Sequence, residues 1–190
     1  TTNYQLKLKY NSILLGAQNC HHRQHYGPFT GSVNAKMLKK TGADYIILGH
    51  SENRTSGESD KLIKMKVESA LKSNLTVILC IGETLLEKNK GKTLSLLKKQ
   101  IRGSINKNKN LSKIILAYEP IWSIGTNKML DPKEIQKIIK YIKSSFLKIF
   151  RTRKEPIVLY GGSVNGKNIE LISPISEIDG FLIGGASQSS

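Results

Sequence analysis

Ile114-Ile115-Leu116-Ala117-Tyr118-Glu119-Pro120-Ile121-Trp122-Ser123-Ile124-Gly125-Thr126 is the stretch around which the chain is organised. Its apolar start reads as a buried strand, and a carboxylate stands where the strand stops. Pro120 has no N–H for a sheet ladder and biases Glu119 towards extended backbone. Glu119 is therefore presented at the C-terminal end of a strand, ahead of a loop with an apolar stem and a glycine near its tip. That is the anatomy of a catalytic base beneath a lid. The competing reading is a strand-end carboxylate paired with a surface lysine.

The same strand-then-loop pattern recurs on both sides of this stretch. Strands are expected over 13–17, 45–48, 75–81, 114–118, 157–160 and 180–183. Helical patterns lie between them. Residues 34–40 place Met37 and Leu38 inward and stop at Gly42. Residues 62–71 carry Leu62, Met65 and Ala70 as an apolar stripe. Residues 83–106 read as helix with a break at Gly91, and 166–172 as a short helix. The clearest helix follows Asp131, a good N-cap, with Pro132 at the first helical position and Glu134 placed to complete a capping box. Ile135, Ile138, Ile139, Ile142, Phe146 and Ile149 recur at helical spacing, with Lys133, Lys137, Lys140 and Lys143 on the wet face. No hairpin signal occurs. Near-continuous apolar strands alternating with helices imply an α/β domain with a parallel sheet covered on both faces. Periodicity alone leaves an open doubly wound sheet and a closed barrel as alternatives.

The 190 residues suffice for one domain. Lys and Arg exceed Asp and Glu by 30 to 14, a formal net charge of +16, which taken alone suggests a polyanion partner. Only 6% of residues are aromatic, and no basic run has aromatics interleaved as base-stacking platforms. A solvated lysine-rich surface is the simpler reading, with no nucleic-acid partner. Cys20 and Cys80 form neither a metal-spaced pair nor a disulfide framework, which fits a reducing compartment. No stretch is long and apolar enough to span a membrane, and residues 1–10 lack the apolar core of a signal peptide. His21, His22 and His25 invite a metal reading. His21 and His25 share a face only on a helix, though, and no acidic residue stands nearby, so no metal is expected.

Further stretches agree with 117–126 in order: Gly16-Ala17-Gln18-Asn19-Cys20, Gly49-His50-Ser51-Glu52, Tyr160-Gly161-Gly162-Ser163-Val164 and Ile183-Gly184-Gly185-Ala186-Ser187. Together they resemble the triosephosphate isomerase family over essentially the whole chain. The resemblance decides for the TIM (β/α)8 barrel, which typically needs about 250 residues. It implies one barrel domain over 1–190, here strands three to eight only. Residues 1–11 would trail from the second helix, and the final helix would follow Ser187. A fragment is therefore expected.

The implied reaction interconverts dihydroxyacetone phosphate and glyceraldehyde 3-phosphate by proton transfer through an enediol, in glycolysis and gluconeogenesis. By resemblance Glu119 is the base, and His50 is a neutral electrophile turned by Gly49 and supported by Ser51 and Glu52. Gly125, Ser163, Gly184 and Gly185 form the phosphate cradle. Pro120, Ile121 and Trp122 are the first lid hinge, followed by Ser123, Ile124 and Thr126, with Asn127 and Lys128 in the second. This family is itself the usual illustration of the neutral histidine and the closing lid, so those roles come from the resemblance. Phe29, Thr30 and Gly31 match the dimer loop, which implies a homodimer in the cytoplasm. No cofactor is implied.

The chain departs from the family pattern in places. Residues 127–130 keep the lysine but lack the usual preceding glycine and following small residues. Asn53 stands where an arginine is usual, the loop between Arg54 and Gly57 is one residue short, and both changes are expected to lower local stability. Ser32 replaces a glutamate. No residue matches the family's Asn and Lys after strand one, so the 190 residues alone are expected to be inactive. The alternative readings are a non-catalytic remnant of the family and a basic nucleic-acid binder.

Overall fold

A computed structural model describes residues 13–107, 110–126 and 128–188. Six strands follow chain order in one sheet: β1 (Gly16–Ala17), β2 (Tyr45–Leu48), β3 (Thr76–Ile81), β4 (Ile114–Tyr118), β5 (Ile157–Tyr160) and β6 (Gly180–Phe181). The β1–β2, β2–β3, β4–β5 and β5–β6 pairings are parallel. Strand positions agree with the sequence reading, but the two outer strands are shorter. Ile13 and Leu14 are exposed rather than sheet-bound, and Leu15 O accepts from Asp44 and Tyr45 N–H at 2.8 and 3.0 Å. Residues 1–11 and Asn127 lie outside the described residues. Among the described residues no helix is long and apolar enough to cross a membrane.

The chain divides into two compact units. One comprises 1–79 and 103–114, the other 80–102 and 115–190. The first holds β1, β2 and most of β3, with α1 (Ala35–Lys40), α2 (Ser51–Thr55) and α3 (Asp60–Lys72). α1 begins at Asn34, whose side chain accepts from Met37 N–H. Met37 and Leu38 are only half-buried, and Ala35 is the buried residue of the helix. α3 packs on α1 and β2. Its buried face is Ile63, Lys66, Val67, Ser69 and Ala70, so the expected stripe through Leu62 and Met65 is corrected: Met65 is 43% exposed. A buried lysine inside the apolar stripe had disguised the true face.

The second unit holds the end of β3, most of β4, β5, β6, α4 (Leu85–Asn89), most of α5 (Thr93–Ser104), α6 (Pro132–Phe150) and α7 (Ile169–Ile172). Gly91, at φ +65°, separates α4 from α5 as expected. Asp131 caps α6 by accepting from Lys133 N–H at 2.9 Å. The Glu134 carboxylate faces Lys88 Nζ at 3.4 Å instead of closing a capping box. A capping box forms at α4 between Thr84 and Glu87. Ile135, Ile138, Ile139, Ile142 and Phe146 are buried as their spacing requires, while Ile149 is half-buried. Lys143 is not merely on the wet face, since its Nζ lies 3.0 Å from Asp179. α7 starts only at Ile169, because Asn165 and Asn168 both donate from their side chains to Ser163 O.

Candidate functional site

In the second unit, Glu119 follows β4 and is 7% exposed. Its N–H donates to Ile81 O at 2.9 Å, which extends the ladder one residue past the strand. Glycines make room for it. A Cβ on Gly82 would stand 1.8 Å from Glu119 O, and one on Gly161 would stand 2.7 Å from Glu119 Cγ. Gly82 is therefore required by close approach of the Glu119 backbone, whereas a side chain at 161 would displace the Glu119 side chain.

The residue before Glu119 and the third residue after it converge on a carboxylate that the sequence reading did not single out. Glu83 is fully buried. It accepts from Tyr118 OH at 3.2 and 3.3 Å and from Trp122 Nε1–H at 3.0 Å. Its carbonyl accepts from Ile121 N–H at 3.0 Å. Burial pushes the Glu83 carboxyl up from its ordinary range, against the lowering by the Trp122 and Tyr118 bonds and the Lys88 charge. Burial beside Glu83 also pushes the Tyr118 phenol up. The signal for Glu83 was present in Gly82-Glu83 at a strand end, but its partners lie 35 and 39 residues away.

The stretch after Glu119 is ordered by local bonds. Pro120 leads into a 3-10 turn over Ile121–Ser123. Ser123 is buried, and its carbonyl accepts from Thr126 N–H at 3.2 Å and from Thr126 Oγ1 at 2.9 Å. Ile124 is half-buried and Lys128 exposed, with Lys128 N–H donating to Thr126 Oγ1 at 3.3 Å. Gly125, at the tip, has φ +68° and open space around it.

Ser163 Oγ donates to Ser123 O, so the loop after β5 is tied to the turn over Ile121–Ser123. Ser163 itself has φ +51°, a left-handed conformation uncommon outside glycine and one that recurs at functional sites. Gly162 admits no side chain, because a Cβ there would lie 2.3 Å from Tyr160 OH. Gly184 and Gly185 follow β6, are exposed and face open space. Backbone N–H groups in glycine-rich turns of this kind suit a phosphate dianion.

In the first unit, Gly49 at φ +71° turns the chain sharply after β2. His50 is then the N-cap of α2, with its Nδ1 3.4 Å from Glu52 N–H as acceptor. An accepting Nδ1 leaves the proton of a neutral ring on Nε2, the tautomer that an Nε2–H donor needs. The Glu52 carboxylate is 3.9 Å from Nδ1 and its side chain is 89% exposed. Ser51 O accepts from Thr55 Oγ1 at 2.9 Å.

Arg54 braces this turn, donating to Gly49 O at 2.8 Å and to Asp60 Oδ1 at 2.7 Å. Asn53, expected to weaken the region, is used. It accepts from Asn19 Nδ2 at 3.1 Å, and Asn19 Nδ2 also donates to Glu58 at 3.1 Å. Lys66 Nζ donates to Asn19 Oδ1 at 2.9 Å and to Glu58 Oε1. This buried network also escaped the sequence reading, because its members lie far apart along the chain. Burial above all pushes the neighbouring Cys20 thiol up to about 12, so it remains protonated.

Phe29 is half-buried, while Thr30 and Gly31 are exposed. The Phe29 ring packs 4.7 Å from that of His21, which stacks in turn on His22 at 4.4 Å. His21 Nδ1 accepts from Arg23 N–H at 3.3 Å. Among the described residues, no three His, Cys, Asp or Glu side chains gather to hold a metal.

The family model for triosephosphate isomerase matches residues 1–190. The chain is 44% identical to the triosephosphate isomerase of Mycoplasmopsis pulmonis over 181 residues, covering 95% of this chain and 70% of the relative. It is 40% identical to that of Bartonella henselae over 178 residues, covering 93% and 70%. It is also similar to the crystal structure of the Bartonella henselae triosephosphate isomerase, with a TM-score of 0.88 and 36% identity over 98% of this chain and 78% of that one.

Proposed function

The chain belongs to the triosephosphate isomerase family, and from that premise we propose that it interconverts dihydroxyacetone phosphate and glyceraldehyde 3-phosphate through an enediol, in glycolysis and gluconeogenesis. β1 to β6 correspond on this reading to strands three to eight of the family barrel. The protein works as a cytoplasmic homodimer, with Phe29, Thr30 and Gly31 at the dimer contact. The observation that carries the proposal is Glu119, nearly buried between Gly82 and Gly161 and immediately ahead of the lid hinge.

Glu119 takes the carbon-bound proton, and its near-burial keeps the carboxylate away from bulk water. His50 donates from Nε2–H to the oxygen on which negative charge develops. A neutral ring is the better matched acid there, because the proton need only be shared with an enediolate rather than lost to water. The N–H groups around Gly125, Ser163, Gly184 and Gly185 hold the phosphate, and the lid that starts at Pro120 excludes water. Ser51 and Glu52 support the His50 turn, and Lys128 belongs to the second hinge.

The test is isomerisation of glyceraldehyde 3-phosphate by the native gene product, read together with incorporation of solvent deuterium at the reacting carbon. Glu119→Gln is expected to lower kcat by about 10²–10⁴-fold, the usual contribution of a positioned base. Turnover unaffected by that change would sink the assignment. A polypeptide limited to residues 1–190 has no match to the family's Asn and Lys pair. One preorganised group of that kind contributes about 3–4 kcal/mol, so this polypeptide alone is expected to turn over negligibly.

A further inference from the structure

Trp122, the single tryptophan of the 190 residues, stands in the first hinge of the lid. Its ring is gripped at two places by groups of the same compact unit. At the edge, Nε1–H donates to the buried Glu83, which Tyr118 OH also satisfies. On the face, Lys88 Nζ lies 4.2 Å from the ring centroid, well inside the range of a cation–π contact. Lys88 is held there by Glu134 in the first turn of α6, at 3.4 Å. The Thr84–Glu87 capping box secures the helix that carries Lys88. The two grips differ in kind. Glu83 is sealed from solvent, whereas the Lys88 and Glu134 side chains are 27% and 43% exposed. The edge contact is thus a fixed anchor, and the face contact is one that salt can screen.

We propose that Lys88, held by Glu134, is a positioning residue for the lid: its ammonium on the face of Trp122 sets the orientation of the hinge ring and so the balance between lid states. The proposal rests on the isomerase reading for what the lid does. A contact shifts a two-state balance only if it differs between the states. A ring at a hinge meets that condition, because turning it changes its distance from a cation fixed on another helix. Glu134 was expected to close a capping box, and its use by Lys88 instead is what places the cation.

The experiment labels the protein with 5-fluorotryptophan and follows the ¹⁹F resonance of Trp122, assigned by Trp122→Phe. Lys88→Met is expected to move the resonance, Glu134→Gln to move it less in the same direction, and Lys88→Arg to stay nearest the parent, since a guanidinium also stacks on an aromatic face. About 1 M NaCl, where the screening length falls to about 3 Å, should move the unsubstituted protein towards the Lys88→Met position and leave Lys88→Met itself unmoved. The salt titration needs no variant to fold. In turnover, Lys88→Met should change KM relative to kcat by about threefold, the population change that an exposed cation–π contact can set. Lys88→Arg should restore it.

A resonance indifferent to Lys88→Met and to salt overturns the proposal. So does a resonance that moves while KM and kcat both stay at parent values, because the ring then turns without consequence for the lid. The isomerase reading fails separately, through absence of turnover by the unsubstituted native gene product. In that case the resonance still decides whether Lys88 and Glu134 hold the ring.

Discussion

Around His50, the supporting groups are charged side chains. Arg54 spans Gly49 O and Asp60, and behind it Lys66, Glu58, Asn19 and Asn53 exchange hydrogen bonds. Around Glu119, the supporting groups are absent side chains: Gly82 lets the Glu119 backbone approach until no Cβ fits, and Gly161 and Gly162 leave room for the side chains of Glu119 and Tyr160. The two arrangements respond differently to change. A charge network tolerates small displacements but fails when one partner is removed, because a buried ion is left without its counter-charge. Steric contact is insensitive to charge but fails when one carbon is added.

The largest expected effect tests the charge-held region. Lys66→Met leaves Glu58 buried without its ammonium partner and should lower unfolding free energy by about 3–5 kcal/mol, read from the urea midpoint. A loss under about 1 kcal/mol would show that the network is ornamental and the contrast false.

Alanine at Gly82 and at Gly161 divides the sterically held region. At Gly82 the new methyl meets the Glu119 backbone carbonyl, which cannot rotate away, and destabilisation of about 3 kcal/mol is expected, at the upper end for overpacking. At Gly161 it meets the Glu119 side chain, which can move. Stability should change little there, while kcat falls about 10²-fold, as for a reacting group displaced by about 1 Å. Equal effects of the two changes on denaturation would mean that Glu119 is not held by these contacts.

The smallest effect sharpens the comparison by its sign. Glu83 is the buried carboxylate of the Glu119 region, and burial raises its proton affinity above that of the unfolded chain. The folded state therefore binds the proton more tightly, and stability is lost as pH rises through the folded value. Glu83→Gln keeps an acceptor for Trp122 Nε1–H and carries no charge. Measured against the parent, it should gain stability near neutral pH, with the gain closing as pH falls below the ordinary carboxylate range. A destabilised variant at neutral pH would mean that Glu83 holds Trp122 by its charge, and the two regions would then share one mechanism.

Much of this was legible along the chain, and the reason is range. The strand positions, the break at Gly91, the cap at Asp131 and the buried stripe of α6 depend on residues within one or two turns of each other. So do the sharp turn at Gly49-His50 and the placement of Glu119 at a strand end. α3 was misread where a lysine occupies its buried stripe, since side-chain type is a sound guide to burial only when no distant partner compensates the charge. Glu134 was assigned to a cap on spacing alone, and Lys88, 46 residues away, takes it instead.

The sequence by itself therefore determined an alternating α/β chain with parallel strands and the family, and it singled out Glu119 and His50 for the proposed proton transfer. Only the tertiary structure decided what holds them. It revealed Glu83 beneath Trp122, Lys66 and Glu58 behind His50, and the need for glycine at 82 and 162. Whether a buried charge is satisfied, or a Cβ tolerated, depends on atoms brought together from tens of residues away, and no local pattern records that meeting.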